Sequence, residues 1–468
     1  MSANLYDLLA SRFPADRSRP SFLLSDGSEV SYGDLELGAG RAAARLLAQG
    51  VQPGDRVALQ AEKSVEGVML YLGALKAGAI FLPLNAAYTA AEVEYFRADA
   101  EPRLLITDPA DFLAGAPDAP LLSSVPRRAG DLAAILYTSG TTGRSKGAML
   151  SHGNLAANAL ALYDAWGFSP DDVLLHALPI FHVHGLFVAL HCALLGGCPM
   201  VWLPKFSDAE VMAGLARSTV MMGVPTFYTR LLANPQFSRE HAASVRLFIS
   251  GSAPLLESTF TEFEARTGQR ILERYGMSEA AIITTNPLNG ERLAGSVGYP
   301  LPGVDLRLGE GAEAGVIEIR GPSVFSGYWR MPEKTAEEFT PDGFFITGDV
   351  GHRDPDGRVW ISGRAKDLII SGGYNVYPKE VELVLDELPG VAESAVIGTP
   401  HPDFGEGVVA IVIGRGDEAE MIAAARAQLA AYKAPKRILF VDELPRNAMG
   451  KVQKNLLRQR YTDLFTPR

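Results

Sequence analysis

Cysteine is nearly absent: Cys192 and Cys198 are the only two among 468 residues, with no Cys-x-x-Cys pair. A disulfide framework is therefore not expected, nor a zinc site joining them to His184 or His191. Buried free thiols are the ordinary reading. Positive charge is also short, at 43 Lys and Arg against 54 Asp and Glu, for a net charge of −11. That balance argues against a nucleic-acid partner, which needs concentrated cations, but not against a local cationic pocket. Long apolar runs are missing too. The greasiest segment, 186–203, is broken by His191, Gly196, Gly197 and Pro199, which suits a buried helix and then a strand better than a membrane span. The first residues carry no signal-like apolar core, so a cytoplasmic protein with no membrane partner is expected. No repeat period is visible.

What is present is ordinary globular composition, 47% apolar and 21% charged, in a chain too long for one core, so two or more domains are expected. Residues 31–110 alternate helical signals (32–49, 64–77, 90–99) with strand signals (56–60, 80–83, 103–107), and further strand runs follow at 172–177, 219–222 and 245–250. This alternation predicts an α/β fold with helices flanking mostly parallel sheets. Beyond residue 300 the runs 304–308, 314–320 and 358–362, split by glycine turns, predict a small antiparallel subdomain. Past Arg364, helices at 379–388 and 418–429 and strands at 391–398, 408–414 and 437–441 predict a small α+β domain of about 100 residues. The expected division is 1–364, a polar turn at 365–367, and 368–468.

Four segments carry chemistry. Tyr137 to Gly147 holds five small hydroxyl residues (Thr138, Ser139, Thr141, Thr142, Ser145), three glycines (Gly140, Gly143, Gly147), Arg144 and Lys146. Such a run can hold phosphate oxygens through N–H groups, hydroxyls and lysine, although its spacing is not that of a Walker loop. In Glu273-Arg274-Tyr275-Gly276-Met277-Ser278-Glu279 an aromatic suited to stack on a purine precedes a carboxylate suited to Mg²⁺. Asp349, after Thr347-Gly348, offers two acceptor oxygens to ribose hydroxyls, and Arg364 offers a fixed fork of donors. Near the end stands Pro445-Arg446-Asn447-Ala448-Met449-Gly450-Lys451. Taken singly, each also reads as a turn or a solvated surface residue.

Taken in order, these motifs resemble the acyl-adenylate-forming superfamily of acyl-CoA synthetases, luciferases and nonribosomal adenylation domains, over roughly residues 25–460. The resemblance implies a phosphate loop at Thr138–Lys146, adenine beside Tyr275, Gly276 and Ser278, and Mg²⁺ served by Glu279 and Thr138. It further implies ribose on Asp349 and Arg364, a hinge at Lys366, and adenylation served by Lys451 and Lys146. Gly372, Gly373 and Tyr374 would line the thiol channel for coenzyme A. ATP, Mg²⁺ and coenzyme A are the implied cofactors. Ser278 stands where threonine is commoner, which keeps the hydroxyl.

On the acyl side, Pro179-Ile180-Phe181-His182-Val183-His184-Gly185, Pro225-Thr226-Phe227-Tyr228-Thr229-Arg230 and Ser250-Gly251-Ser252-Ala253-Pro254 resemble malonyl-CoA synthetases. That likeness implies a malonate or methylmalonate partner whose distal carboxylate is held by Arg230, His184 and Ser252, with Gly251 and Ala253 beside the nucleotide. A ligase for another short or medium-chain carboxylate stays open, as does a catalytically silent nucleotide-binding or scaffold protein. A monomer or weak homodimer is expected.

Overall fold

The computed structural model describes residues 2–138, 145–309, 314–446 and 451–465. Packing divides the chain into two units: Met1–Leu306 with Ile319–Phe345, and Arg307–Glu318 with Ile346–Arg468. This division differs from the expected boundary at 365–367. The strand Val359–Arg364 pairs with Phe345–Arg353, setting Asp349 opposite Arg364, and Thr347 Oγ1 donates to the Ile317 carbonyl at 2.7 Å. The strands just ahead of the polar turn are thereby tied into the second unit.

The first unit holds two sheets with helices around them, as the alternation predicts. In one, Leu104–Ile106, Arg56–Gln60, Ile80–Leu84 and Leu132–Thr138 run parallel, and Lys146–Ser151 closes the edge antiparallel. In the other, the order is Glu29–Ser31, Pro20–Leu24, Met200–Trp202, Leu174–His176, Val220–Gly223, Leu247–Ser250, Leu272–Met277, Ala281–Thr285 and Ser296–Pro300. Its middle, from Pro20–Leu24 to Leu272–Met277, is parallel throughout. Both faces are covered, so these strands read as apolar runs: Val220, Met221, Leu247 and Ile249 are fully buried.

Helix starts follow local chemistry. Ser31 and Asp34 form a capping box for Tyr32–Ala48, whose Leu35, Ala39, Ala42, Ala43 and Leu46 face inward. Thr89 with Glu92 and Ser151 with Asn154 do the same for Ala90–Ala100 and His152–Ala165. The segment expected as helix then strand is so, with one addition. It opens as a π-helix, Val183–Ala189, before the α-helix Leu190–Gly196 and the strand Met200–Trp202. Pi turns concentrate at functional sites.

In the second unit, a short sheet runs Asp305–Leu308, Ala314–Arg320, Phe345–Arg353, Val359–Arg364. A second sheet orders Tyr374–Val376, Ile369–Ser371, Gly405–Gly414 and Val391–His401, with Arg437–Val441 parallel to Gly405–Gly414. Helices Pro378–Asp386 and Glu418–Gln428 cover it through Val381, Leu385, Met421 and Ala425. No described helix is long and apolar enough to cross a membrane.

Candidate active site

The strands Leu174–His176, Val220–Gly223, Leu247–Ser250 and Leu272–Met277 are parallel, so their carboxyl ends share one edge, where open α/β sheets take their ligands. Arg274 projects there from a position only 4% exposed, and its Nε and Nη2 have no hydrogen-bond partner among the described residues. Its guanidinium lies on Gly251, just past the strand Leu247–Ser250: a Cβ there would sit 2.5 Å from Arg274 Cζ, so a side chain at 251 would displace the guanidinium. His184, 5% exposed, meets Ser252 Oγ through Nδ1 at 3.3 Å, while its Nε2 has no partner among the described residues. Ser250 Oγ is also buried without one. Ser252 holds φ at +72°, a strained value for a residue with a side chain.

Electrostatics agree with the geometry. Burial, then the charge of Arg274, then His176 and His182 push His184 well below the usual imidazole range, so its ring is neutral. Burial pulls Arg274 down to about 9. A buried donor left unpaired costs about 1–3 kcal/mol. A small anion entering between Arg274, His184 and Ser252 recovers that cost.

Arg230 does not join this cluster. On Pro225–Ala233 the inward positions belong to Tyr228, Leu231 and Leu232, and helical periodicity leaves residue 230 facing solvent. There its guanidinium stands 5.8 Å from the Phe206 ring, in a surface depression of about 360 Å³ with Asp208 and Asn234. Ala253 is exposed beside Ser252.

Toward the phosphate loop, Ser139, Gly140, Thr141, Thr142 and Gly143 lie outside the described residues. Their flanks are visible. The Ser145 carbonyl accepts from Tyr95 Oη at 2.7 Å, and Thr138 Oγ1 reaches the Lys146 carbonyl at 3.4 Å. Lys146 Nζ pairs with Glu338 at 3.0 Å and lies 4.0 Å from the centre of the Tyr328 ring. Tyr328 Oη in turn donates to Glu279 Oε1 at 3.1 Å. Lys146, Tyr328 and Glu279 thus form one chain. Tyr275 and Gly276 lie at a register shift between Leu272–Met277 and Ala281–Thr285. A Cβ on Gly276 would meet the Ala281 carbonyl at 2.0 Å, so the backbone approach itself demands glycine. Ser278 follows that strand, just ahead of Glu279.

A divalent cation fits these residues. Glu279 is 7% exposed, and no group of three His, Cys, Asp or Glu gathers among the described residues. A single buried carboxylate of this kind suits Mg²⁺, which keeps several waters and takes substrate phosphates as ligands; Thr138 would add a hydroxyl.

In the second unit Asp349, 4% exposed, pairs with Arg364 Nε at 2.7 Å, and its own N–H donates to Thr347 Oγ1 at 3.1 Å. Lys366 stands in the 3₁₀ turn Ala365–Asp367, where burial pulls it down to about 8. Gly372 and Gly373 take φ of +61° and +80° in a turn that exposes Tyr374, stacked on Tyr432 at 4.7 Å. Lys451 is exposed next to Val452, which bridges to Arg446.

Three residues with a place here carried no sequence assignment: Arg274, Tyr328 and Glu338. Arg274 had a signal, as a cation between the carboxylate Glu273 and the aromatic Tyr275 on a strand otherwise headed into the core. Tyr328 and Glu338 had none, because only tertiary packing brings them to Lys146.

The chain belongs to the acyl-adenylate-forming enzymes: the family described as AMP-binding enzyme matches residues 10–329, and the AMP-binding enzyme C-terminal domain matches residues 380–451. Among solved structures it is similar to ATP-bound MatB from Rhodopseudomonas palustris, at 50% identity and TM-score 0.94, with all of both chains covered. Among characterised relatives it is 35% identical to the malonate–CoA ligase of Arabidopsis thaliana, over 93% of this chain and 85% of that one. It is also 35% identical to the sulfoacetate–CoA ligase of Cupriavidus necator, over 96% of each.

Proposed function

We propose that this protein is a malonate–CoA ligase, converting ATP, malonate and coenzyme A into AMP, pyrophosphate and malonyl-CoA through malonyl-AMP. The observation that carries the reading is the buried, unpartnered guanidinium of Arg274 beside neutral His184. An apolar acyl chain would leave both unpaired, at the cost given above, whereas a second carboxylate takes a charge-assisted, two-point hydrogen bond from arginine. The likeness to the Arabidopsis malonate–CoA ligase supports it. Methylmalonate differs by one methyl group and remains within the same reading.

In the first half-reaction the near carboxylate attacks the α-phosphorus and pyrophosphate leaves. Lys146 exchanges Glu338 for phosphate oxygen, and Lys451 adds a second cation where charge develops. Mg²⁺ held near Glu279 would supply further charge neutralisation to the phosphates. Asp349 accepts from the ribose, with Arg364 beside it, and Tyr275 flanks the adenine. In the second half-reaction the thiol, entering past Gly372, Gly373 and Tyr374, attacks the mixed anhydride and AMP leaves, with Lys366 as the pivot between the two steps.

The test is a panel of malonate, methylmalonate, sulfoacetate, acetate and butyrate, assayed for pyrophosphate and AMP with and without coenzyme A. Malonate should give the largest kcat/KM. Preference for sulfoacetate would keep the anion pocket and replace the substrate, and preference for butyrate would remove both.

A further inference from the structure

Beneath the anion pocket lies a second buried cluster in the first unit. Lys63 Nζ approaches three acceptors: the His176 carbonyl at 2.7 Å, the Leu203 carbonyl at 2.7 Å and His176 Nδ1 at 2.9 Å. It also lies 3.9 Å from the centre of the Trp202 ring, and that ring packs on His176 at 4.7 Å. His176 is wholly buried, and its other nitrogen, Nε2, stands 2.9 Å from the Gly185 carbonyl. Gly185 directly follows His184 in the π-helix Val183–Ala189. No side chain fits at Gly185: a Cβ there would sit 2.0 Å from the Pro179 carbonyl.

The Gly185 carbonyl can only accept, so Nε2 of the neutral ring carries its proton and Nδ1 is left as an acceptor. Three acceptors around one lysine nitrogen match the three N–H bonds of an ammonium. A neutral amine has two and would aim its lone pair at an acceptor. Burial opposes the charge, but two carbonyls, an imidazole nitrogen and an indole face answer it. An ammonium has no lone pair to accept with, so it holds the ring in that same tautomer. Burial first, and then the positive charge at Lys63, hold His176 well below the usual imidazole range and so neutral.

We propose that Lys63 is a positioning residue: it fixes His176 in the Nε2–H tautomer, and His176 pins the first turn of the π-helix so that His184 faces Arg274 and Ser252. Lys63 touches no substrate. Its influence runs through one hydrogen-bonded chain, Lys63 to His176 to Gly185, and ends at the imidazole that reads the distal anion. Selectivity between dianionic and monoanionic acids therefore depends on a lysine outside the pocket. The dependence on a distal anion rests on the malonate reading; the tautomer assignment does not.

The experiment uses full-length Lys63→Met and Lys63→Arg with two readouts. In ¹⁵N-histidine-labelled protein, wild type should show His176 as the Nε2–H tautomer, and Lys63→Met should shift it toward a mixture or toward Nδ1–H. In kinetics, Lys63→Met should raise KM for malonate about tenfold with kcat within about threefold, leaving KM for ATP and butyrate turnover nearly unchanged. Lys63→Arg should recover part of the malonate KM. An Nδ1–H tautomer in wild type overturns the proposal. So does an equal loss for malonate, butyrate and ATP, because that is what general destabilisation would give. If His176 has the expected tautomer and malonate is not turned over by wild type, the malonate reading fails and the relay stands, to be read on the panel's preferred acid.

Discussion

The Arg274 pocket of the first unit and the Asp349 site of the second treat their charged groups in opposite ways. In the first, Arg274 and His184 are buried with side-chain nitrogens left without partners among the described residues. In the second, Asp349 is already paired with Arg364 at 2.7 Å, and Asp367 with Arg458 at 2.7 Å. The unpartnered site has its desolvation cost already sunk in the fold, so a matching anion gains nearly the full interaction. The paired site has its geometry set beforehand, because the ion pair holds the Asp349 carboxylate in place while its lone pairs can still accept from ribose. On the proposed reading, selectivity for the acid is expected from the first unit and ribose placement from the second.

Lys451→Ala should produce the largest effect on the second unit's side of that comparison. Loss of a cation that meets developing phosphoryl charge should cut malonyl-AMP formation by about 10²–10³-fold. Thioester formation from supplied malonyl-AMP should persist. Equal losses in the two half-reactions would deny Lys451 its specific place.

Arg274→Leu should follow. Removing a charge-assisted interaction is worth about 1.5–3 kcal/mol, or roughly ten- to a few-hundred-fold in kcat/KM for malonate. Butyrate should lose far less, because its chain ends in a methyl group. If both acids fall together, Arg274 supports the fold and not the choice of substrate.

Glu273, the neighbour of Arg274 on the opposite face of its strand, sharpens the contrast through pH. Burial raises its pKa from 4.5 to about 7, against hydrogen bonds from the Leu255 and Gly295 N–H groups. A carboxylate with a raised folded pKa contributes stability that is fully present below 4.5 and lost as pH climbs through 7. At 1.36 kcal/mol per unit the loss is about 3 kcal/mol at most. Denaturant melts across pH 4.5–7.5 should show that decline in wild type and a flatter profile in Glu273→Gln. Identical slopes would mean that Glu273 ionises normally.

How much was legible beforehand divides along the same physical line. Element types came through because they depend on periodicity and caps, as at Ser31 with Asp34 and in the parallel runs around Val220 and Leu247. The family came through because the phosphate-loop run, the Tyr275–Glu279 motif and the Lys451 motif are each contiguous in sequence. The role of Arg274 was not legible. Arg230 stands in a segment resembling malonyl-CoA synthetases and Arg274 in the superfamily's Tyr275–Glu279 motif, and only three-dimensional packing shows that Arg274 is buried and Arg230 exposed. Nor was the grouping of Ile346–Arg364 with the second unit, since strand pairing such as Asp349 with Arg364 leaves no local signature.

Arg230→Leu is therefore the smallest expected effect, and the most direct check on which arginine selects the acid. The helix Pro225–Ala233 turns Tyr228, Leu231 and Leu232 inward, and Arg230 faces solvent near Asp208. An exposed cation with one loose aromatic neighbour contributes little; surface substitutions of this kind stay within about 0.5 kcal/mol of wild type. The malonate kcat/KM should therefore change by less than about threefold, with no change in the ratio of malonate to butyrate. Measured beside Arg274→Leu on the same two acids, the pair separates the alternatives. A large, malonate-specific loss in Arg230→Leu with little change in Arg274→Leu would transfer the distal carboxylate to the helix and overturn the pocket built from Arg274, His184 and Ser252.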